Sequence, residues 1–207
     1  MALRLLPFRQ YNEHDVVNMF ALNSASVLES TTGDGAGSNG VFVTVTNGNL
    51  NQETITYGTD SYLGKTDYPF VGGDMYPTNP LEVGPAASGS VPLGLTLNQT
   101  AKADENGEKL IYNTTKKEEL QAVLPGQSVP VATKGIFTLS ANAIQAGAVA
   151  GFTIGGGFEL AGSGVIGPVA ATSSKCLGTI LGTGSRVSQG GLTDQFAGDY
   201  VVVKLGK

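Results

Sequence analysis

The 207 residues of this chain suit one domain or two small ones, and a chain of this length can bury a core that needs no disulfide or metal. Charged residues make up only 14% and the formal net charge is −5, which argues against a nucleic-acid-binding protein because phosphate contacts need clustered Lys and Arg. Cys176 is the only cysteine, so an intrachain disulfide is excluded, and no apolar run reaches the roughly 18 residues that cross a membrane.

The first ten residues, MALRLLPFRQ, predict an extended arm with apolar side chains. Pro7 has no amide hydrogen and disfavours helical geometry at the residue before it. A chain terminus stays ordered only where its own domain or a neighbour holds it, so we predict that the arm is a protein interface. The predicted interface residues are Leu3, Arg4, Leu5, Leu6, Pro7, Phe8 and Arg9. The apolar run is too short for a signal peptide, which predicts a protein that is used without secretory export.

Residues 12–22 carry conflicting signals. Asn12 followed by Asp15 resembles a helix N-cap, whereas Val16 and Val17 favour a strand, and we predict a strand here. Residues 30–40 then predict a glycine-rich loop, residues 41–46 a strand and residues 47–48 an Asn-Gly turn. Residues 53–57 predict a second strand, and residues 64–90 predict an irregular segment with four prolines.

Short apolar runs separated by Gly, Pro and Asn fill the remainder of the chain. They predict one short helix at residues 114–123 and strands at residues 91–97, 108–112, 128–133, 135–139, 176–181 and 199–205. Their spacing predicts an all-β fold of one or two small β-barrel or sandwich units, with an extended N-terminal arm and long loops. The predicted organisation has three parts. Residues 1–22 form an arm with the first strand, residues 23–90 form a β-hairpin region with the Pro/Gly-rich crossing segment, and residues 91–207 form a main β-barrel-like domain.

A weak internal repeat relates two pairs of predicted strands. The first copy comprises residues 92–97 and 125–131, and the second comprises residues 176–181 and 197–203. Each copy has an apolar strand interrupted by a glycine, then an insert, a turn with glycine and a valine-rich strand. Two copies of one β unit, or chance similarity between strands rich in glycine and valine, would both account for this pattern.

None of the motifs that carry chemistry is complete. Residues 162–167, GSGVIG, match the dinucleotide-binding spacing, but Pro168 follows where a helix should begin. Residues 64–66, GKT, resemble the end of a phosphate-binding loop, but the upstream glycine is wrongly spaced. His14 is the only histidine, which leaves too few ligands for a zinc site. We therefore predict no catalytic, cofactor-binding or metal-binding residue and no enzyme activity, although paired carboxylates of a hydrolase could meet from any part of a β fold.

Several segments resemble virion proteins. The opening MALRLLPFRQYNEHDVVNMFAL is similar to the start of virion structural proteins from phages of marine bacteria, including cyanophages. The segments PGQSVPVATKGIFTL, SSKCLGTIL and FAGDYVVVKLGK resemble the small β-barrel unit of phage head-decoration and capsid-cement proteins. The long inserts at residues 58–90 and 183–195 depart from the compact pattern of that family.

This resemblance implies a non-enzymatic protein that is made in the host cytoplasm and binds the exterior of the assembled capsid, where it stabilises the lattice. Its implied partners are the major capsid protein and further copies of itself in a homotrimer, with no nucleic-acid, membrane or cofactor partner. The alternatives are another virion component of the tail, neck or fibre, or a carbohydrate-binding surface module. The last would need an aromatic platform, for which the candidates are Tyr57, Tyr62, Tyr68 and Tyr76.

Overall fold

The computed structural model of the chain describes residues 3–22, 37–50, 79–101, 103–104, 106–124, 126–188 and 196–206. Of the described residues that have regular secondary structure, most lie in strands, which confirms the predicted all-β class. The one α-helix within these residues, α1, spans Thr114–Glu119. The strands are β1 (Leu5–Gln10), β2 (Val16–Val17), β3 (Ala21–Leu22), β4 (Phe42–Asn47), β5 (Glu82–Pro85), β6 (Gly94–Thr96), β7 (Gln99–Thr100), β8 (Ala122–Val123), β9 (Val131–Ala132), β10 (Gly135–Ser140), β11 (Gly157–Gly162), β12 (Val165–Val169), β13 (Gly178–Arg186) and β14 (Gly198–Leu205).

Two six-stranded sheets pack face to face. Sheet A has the order β1-β10-β14-β13-β11-β12, sheet B has the order β2-β9-β6-β4-β5-β3, and β7 pairs with β8 in a small separate sheet. The largest core cluster lies between the two sheets, where the rings of Phe42 and Phe158 have centroids 6.0 Å apart. Within the described residues neither sheet closes into a barrel. Of the two predicted architectures, barrel and sandwich, the structure therefore shows the sandwich.

The main core draws on all three segments of the predicted organisation. Leu5 of β1, Phe42 of β4 and Phe158 of β11 belong to the same buried cluster. A second cluster lies on the other side of sheet B and includes Val43 and Val131. The division of the chain into domains stays a prediction, but the side chains at the centre of the sandwich come from distant parts of the sequence.

Both sheets contain the same five-stranded unit. Unit 1 consists of β2, β4, β5, β6 and β9, and unit 2 consists of β10, β11, β12, β13 and β14. In each unit the first strand in the chain lies beside the fifth, followed by the fourth, the second and the third. The pairing registers also correspond: Val43 opposite Pro85 and Gly94 in unit 1 matches Phe158 opposite Pro168 and Gly178 in unit 2.

The structure therefore shows two copies of one β unit, the first of the two explanations left open by the sequence, and the repeat is larger than its sequence signal. The first pair of segments compared in the sequence overlaps β6 and β9, and the second pair overlaps β13 and β14. The strand pairs Leu95–Ala132 and Thr179–Lys204 show the same register. Each unit even carries an irregularity at the same place, between Val45 and Asn47 on β4 and between Leu160 and Gly162 on β11.

The glycine inside each repeated strand has the same structural cause. A Cβ on Gly94 would lie 2.2 Å from the carbonyl oxygen of Ala132, and a Cβ on Gly178 would lie 2.0 Å from the carbonyl oxygen of Lys204. Because no side chain fits at such distances, glycine is required wherever this strand approaches its partner so closely.

The conflicting signals around residue 12 each describe part of the structure. The Asn12 side chain accepts a hydrogen bond from the His14 amide and caps one turn of 3-10 helix at Glu13–Asp15. The strand β2 follows at Val16–Val17, where β-branched side chains favour extended backbone.

The predicted strand at residues 108–112 is wrong. Lys109 forms only an isolated bridge with Ala103, and the next residues form a turn that buries Leu110 in a small local cluster. The predicted helix exists but ends early, since Gln121 has a φ of 49° and β8 begins at Ala122. The predicted strand at residues 53–57 and the GKT turn lie outside the described residues.

Candidate functional site

The N-terminal segment is an edge strand of its own sheet. β1 pairs antiparallel with β10. Two hydrogen bonds from Ser140 hold the residues before β1: its amide donates to the carbonyl oxygen of Arg4 at 2.8 Å, and its hydroxyl donates to the carbonyl oxygen of Leu3 at 2.6 Å. The chain's own domain therefore orders the predicted arm.

A bulge in β1 separates buried from exposed side chains. Leu5 lies opposite Leu139 and Arg9 lies opposite Phe137, so four steps along β1 correspond to two along β10. Pro7 lies inside this irregular stretch, where its missing amide hydrogen costs no ladder hydrogen bond. Phe8, the next residue, is 71% exposed.

The seven predicted interface residues therefore differ in their surroundings. Arg4, Leu5 and Leu6 are buried within the chain, whereas Pro7 and Phe8 are exposed. The half-buried members are Leu3 and Arg9. Their role as an interface stays a prediction, and of the seven only Pro7 and Phe8 are exposed.

A groove of about 620 Å³ lies along the outer face of sheet A, next to the bulge. Leu6, Pro7 and Phe8 form one wall. Thr138 of β10 and Val202 of β14 are cross-strand partners and also line the groove. Since Phe137, Leu139, Val201 and Val203 point into the core, the alternation of a strand places Thr138 and Val202 on the opposite face.

The other wall of the groove is aromatic and carries one positive charge. Tyr200 is paired with Gly184, and its ring lies across the place that a side chain on Gly184 would take. Arg186 ends β13, and its guanidinium lies 5.9 Å from the ring centroid of Phe196. This contact has the geometry of a cation–π interaction, which favours arginine on aromatic surfaces. Of the described residues, three with aromatic rings line the groove.

The groove residues on β10, β13 and β14 were not among those predicted from the sequence. The alternation in the segment 199–205, DYVVVKL, could have separated Tyr200 and Val202 from the core valines. No local pattern could have brought these residues together with Phe8, because the contact depends on β1 pairing with a strand more than a hundred residues away.

Sheet A gives little room for an added strand at either edge. On one side, β1 is interrupted by its bulge and by Pro7. On the other side, the carbonyl oxygen of Ile166 in β12 accepts a hydrogen bond from the Gln145 amide, and Pro168 follows. Such features prevent edge-to-edge pairing of sheets. A partner would thus contact sheet A mainly through side chains.

The glycine motif at residues 162–167 is a hairpin connection. β11 and β12 are antiparallel, and Ser163 and Gly164 both have positive φ angles at the turn between them. A dinucleotide site would need a helix after the glycines, and a strand occupies that position.

The remaining candidate residues show no assembled chemistry in the described part of the chain. Cys176 is buried, and its thiol donates to the carbonyl oxygen of Gly178 at 3.1 Å. His14 is exposed. Among the described residues no three His, Cys, Asp or Glu side chains come together as metal ligands. The helix in this part of the chain is also too short to cross a bilayer. The four tyrosines proposed as a glycan platform lie outside the described residues.

Known proteins offer no relative of this chain among the matches. No family model matches the chain, and no curated protein or solved structure matches it significantly. The functional interpretation therefore depends on the chain's own residues and on the geometry of the groove.

Proposed function

We propose that this chain is a structural protein of a phage head, of the decoration or cement type, which binds the outer surface of the assembled capsid lattice and stabilises it. Its partners in this proposal are the major capsid protein and further copies of the chain in a homotrimer. The resemblance of both chain ends to virion proteins supports the choice of the capsid. The groove on sheet A supports binding to a protein surface.

The observation that carries the proposal is an exposed aromatic side chain beside an apolar groove. Phe8 leaves 71% of its surface exposed at the wall of a groove that also contains Tyr200 and Val202. Contiguous apolar surface of this kind marks interaction sites on proteins. Aromatic side chains are also enriched at the centres of protein interfaces.

One groove contact is too weak to hold a protein on a capsid. Burying Phe8 would contribute roughly 1.5–3 kcal/mol, whereas association costs on the order of 4–15 kcal/mol in lost translational and rotational freedom. Several contacts made by one chain, or by linked copies, raise the effective concentration and overcome this cost. Binding at several points of a repeating lattice provides such contacts.

The proposal is tested with purified protein and empty heads of the phage that encodes it. Phe8→Ser should reduce the fraction of protein that pellets with the heads several-fold. Ile154→Ser is the matched control, since Ile154 is 73% exposed and lies outside the groove. A wild-type chain that stays in the supernatant would refute the proposal. Labelled antibody in electron micrographs of virions should mark the head, and a label on the tail, neck or fibres would reassign the chain to that part.

A further inference from the structure

Three Asn-Gly pairs occur in the chain, at residues 39–40, 47–48 and 106–107. Asparagine is a thermolabile residue, and a glycine after it favours spontaneous deamidation because no side chain hinders attack of the glycine nitrogen on the asparagine side-chain amide. The attack requires the glycine nitrogen to lose its proton and the peptide between the two residues to rotate. A hydrogen bond that holds the glycine amide therefore slows the reaction, and the three pairs differ in this respect.

In two of the three pairs, the glycine amide is bonded to a backbone carbonyl. The Gly40 amide donates to the carbonyl oxygen of Thr96 at 2.7 Å, and Gly40 is buried. The Gly107 amide donates to the carbonyl oxygen of Asp104 at 3.1 Å in an exposed turn. Attack by either nitrogen would first break its hydrogen bond, so the fold protects both pairs.

The third pair, Asn47 and Gly48, lacks this protection. Asn47 is the last residue of β4, Gly48 is exposed, and no described residue accepts a hydrogen bond from the Gly48 amide. Apart from its chain neighbours, a Cβ on Gly48 would have one atom within 4 Å, the Cγ1 of Val45 at 3.7 Å. The Oδ1 of Asn47 accepts from the Asn49 amide at 3.0 Å, which folds the Asn47 side chain back over the Gly48 peptide.

We propose that Asn47 is a site of spontaneous deamidation in the folded protein. The Gly48 nitrogen forms a bond to Cγ of Asn47, and the side-chain nitrogen leaves as ammonia with the proton of the Gly48 amide, so that a succinimide ring results. Water then adds to one of the two ring carbonyls and opens the ring to aspartate or, with one more atom in the main chain, to isoaspartate. Water is the only co-reactant, and the inference is independent of the proposed function.

The new carboxylate lies beside an existing one. Asn47 is directly opposite Glu82 of β5, and directly opposite side chains of an antiparallel pair share one face. Like charges at such positions destabilise strand pairing, so deamidation should loosen the end of β4 and β5 that Asn47 and Glu82 form. Isoaspartate adds to this effect because its longer main chain shifts the register.

The test incubates the full chain in mildly alkaline buffer and follows the three pairs separately by peptide mapping with mass spectrometry. Asn47 should be converted several-fold faster than Asn39 and Asn106. In urea the three rates should converge, because the hydrogen bonds that distinguish the glycine amides are lost. Gly48→Ala fits without a clash and should slow conversion of Asn47 several-fold by hindering the attacking nitrogen. Isoaspartate in the Asn47 peptide, detected by enzymatic methylation, would identify the succinimide route.

Two results would overturn the inference. Asn47 would be converted no faster than the other two asparagines in the folded chain, or the three would keep the same order of rates in urea, which would assign the difference to sequence neighbours. The effect on pairing is measured with Asn47→Asp, which keeps an acceptor for the Asn49 amide and should lower the urea midpoint of unfolding. Combination with Glu82→Gln should remove most of that decrease, and an equal decrease in both backgrounds would exclude repulsion by Glu82.

Discussion

The backbone carbonyl of Lys204 leaves room only for glycine at position 178. We expect Gly178→Ala to lower the free energy of unfolding by about 1–3 kcal/mol, the usual cost of overpacking, because the new Cβ would lie 2.0 Å from the Lys204 carbonyl oxygen. Gly182→Ala on the same strand is the control, since its Cβ would be no closer than 3.8 Å to Val202. Urea denaturation of both variants measures the difference. Equal stability of the two variants would show that the close approach does not exist.

The apolar residues of the N-terminal strand divide into buried and exposed residues. Leu5 is 3% exposed and lies in the main core, so Leu5→Ala should cost about 2–5 kcal/mol of unfolding free energy. Phe8→Ser should change it by less than about 0.5 kcal/mol because the ring lies at the surface. Chemical denaturation checks both values. A large loss of stability in Phe8→Ser would mean that any loss of binding reflects unfolding and not a lost contact.

At the scale of elements, the β11–β12 hairpin contains avoidable strain. Ser163 has a φ of 50° in the turn, a left-handed conformation that costs an L-residue about 1–2 kcal/mol. Ser163→Gly should therefore raise the free energy of unfolding by about 0.5–1 kcal/mol after the greater entropy of glycine in the unfolded chain is subtracted. Ser163→Ala keeps the Cβ and should give no gain. Thermal unfolding of the two variants decides, and an equal gain in both would exclude backbone strain as the cause.

The elements that sequence patterns predicted are those whose stability is local in origin. Short apolar runs predicted β10 and β14, and the segment 114–123 predicted a helix that begins at Thr114, where the Asn113 side chain accepts from the Lys116 amide. β5 was missed because its Gly84 and Pro85 indicate irregular structure, yet it pairs with β4 over four positions. β11 and β12 were missed because glycines dominate their connection. The groove could not be predicted, since its walls join only through long-range pairing.

At the scale of the whole molecule, the internal repeat explains both the core and the open surface. Unit 2 covers one face of unit 1, and Phe158 lies at the position in unit 2 that Val43 holds in unit 1. Val43 belongs to the cluster on the face of sheet B that points away from sheet A, whereas Phe158 lies between the sheets. Because equivalent residues point in the same direction, the two units stack with their faces in the same orientation. Such head-to-tail packing leaves one unsatisfied face at the end of a stack. Lys204 is exposed at that face, where a third stacked sheet would bury its charge.

Packing of this kind predicts that the two sheets unfold together. Phe42 belongs to sheet B but contacts Phe158 of sheet A, so Phe42→Ala should cost about 3–5 kcal/mol of unfolding free energy. Native-state hydrogen exchange measures the opening free energy of amides in β4 and in β14 separately. In a single cooperative unit both values should fall by the same amount, while Phe8→Ser should leave both unchanged. If the β14 amides kept their wild-type protection in Phe42→Ala, the sheets would be two independent domains. The open face of sheet A would then owe nothing to its packing on sheet B.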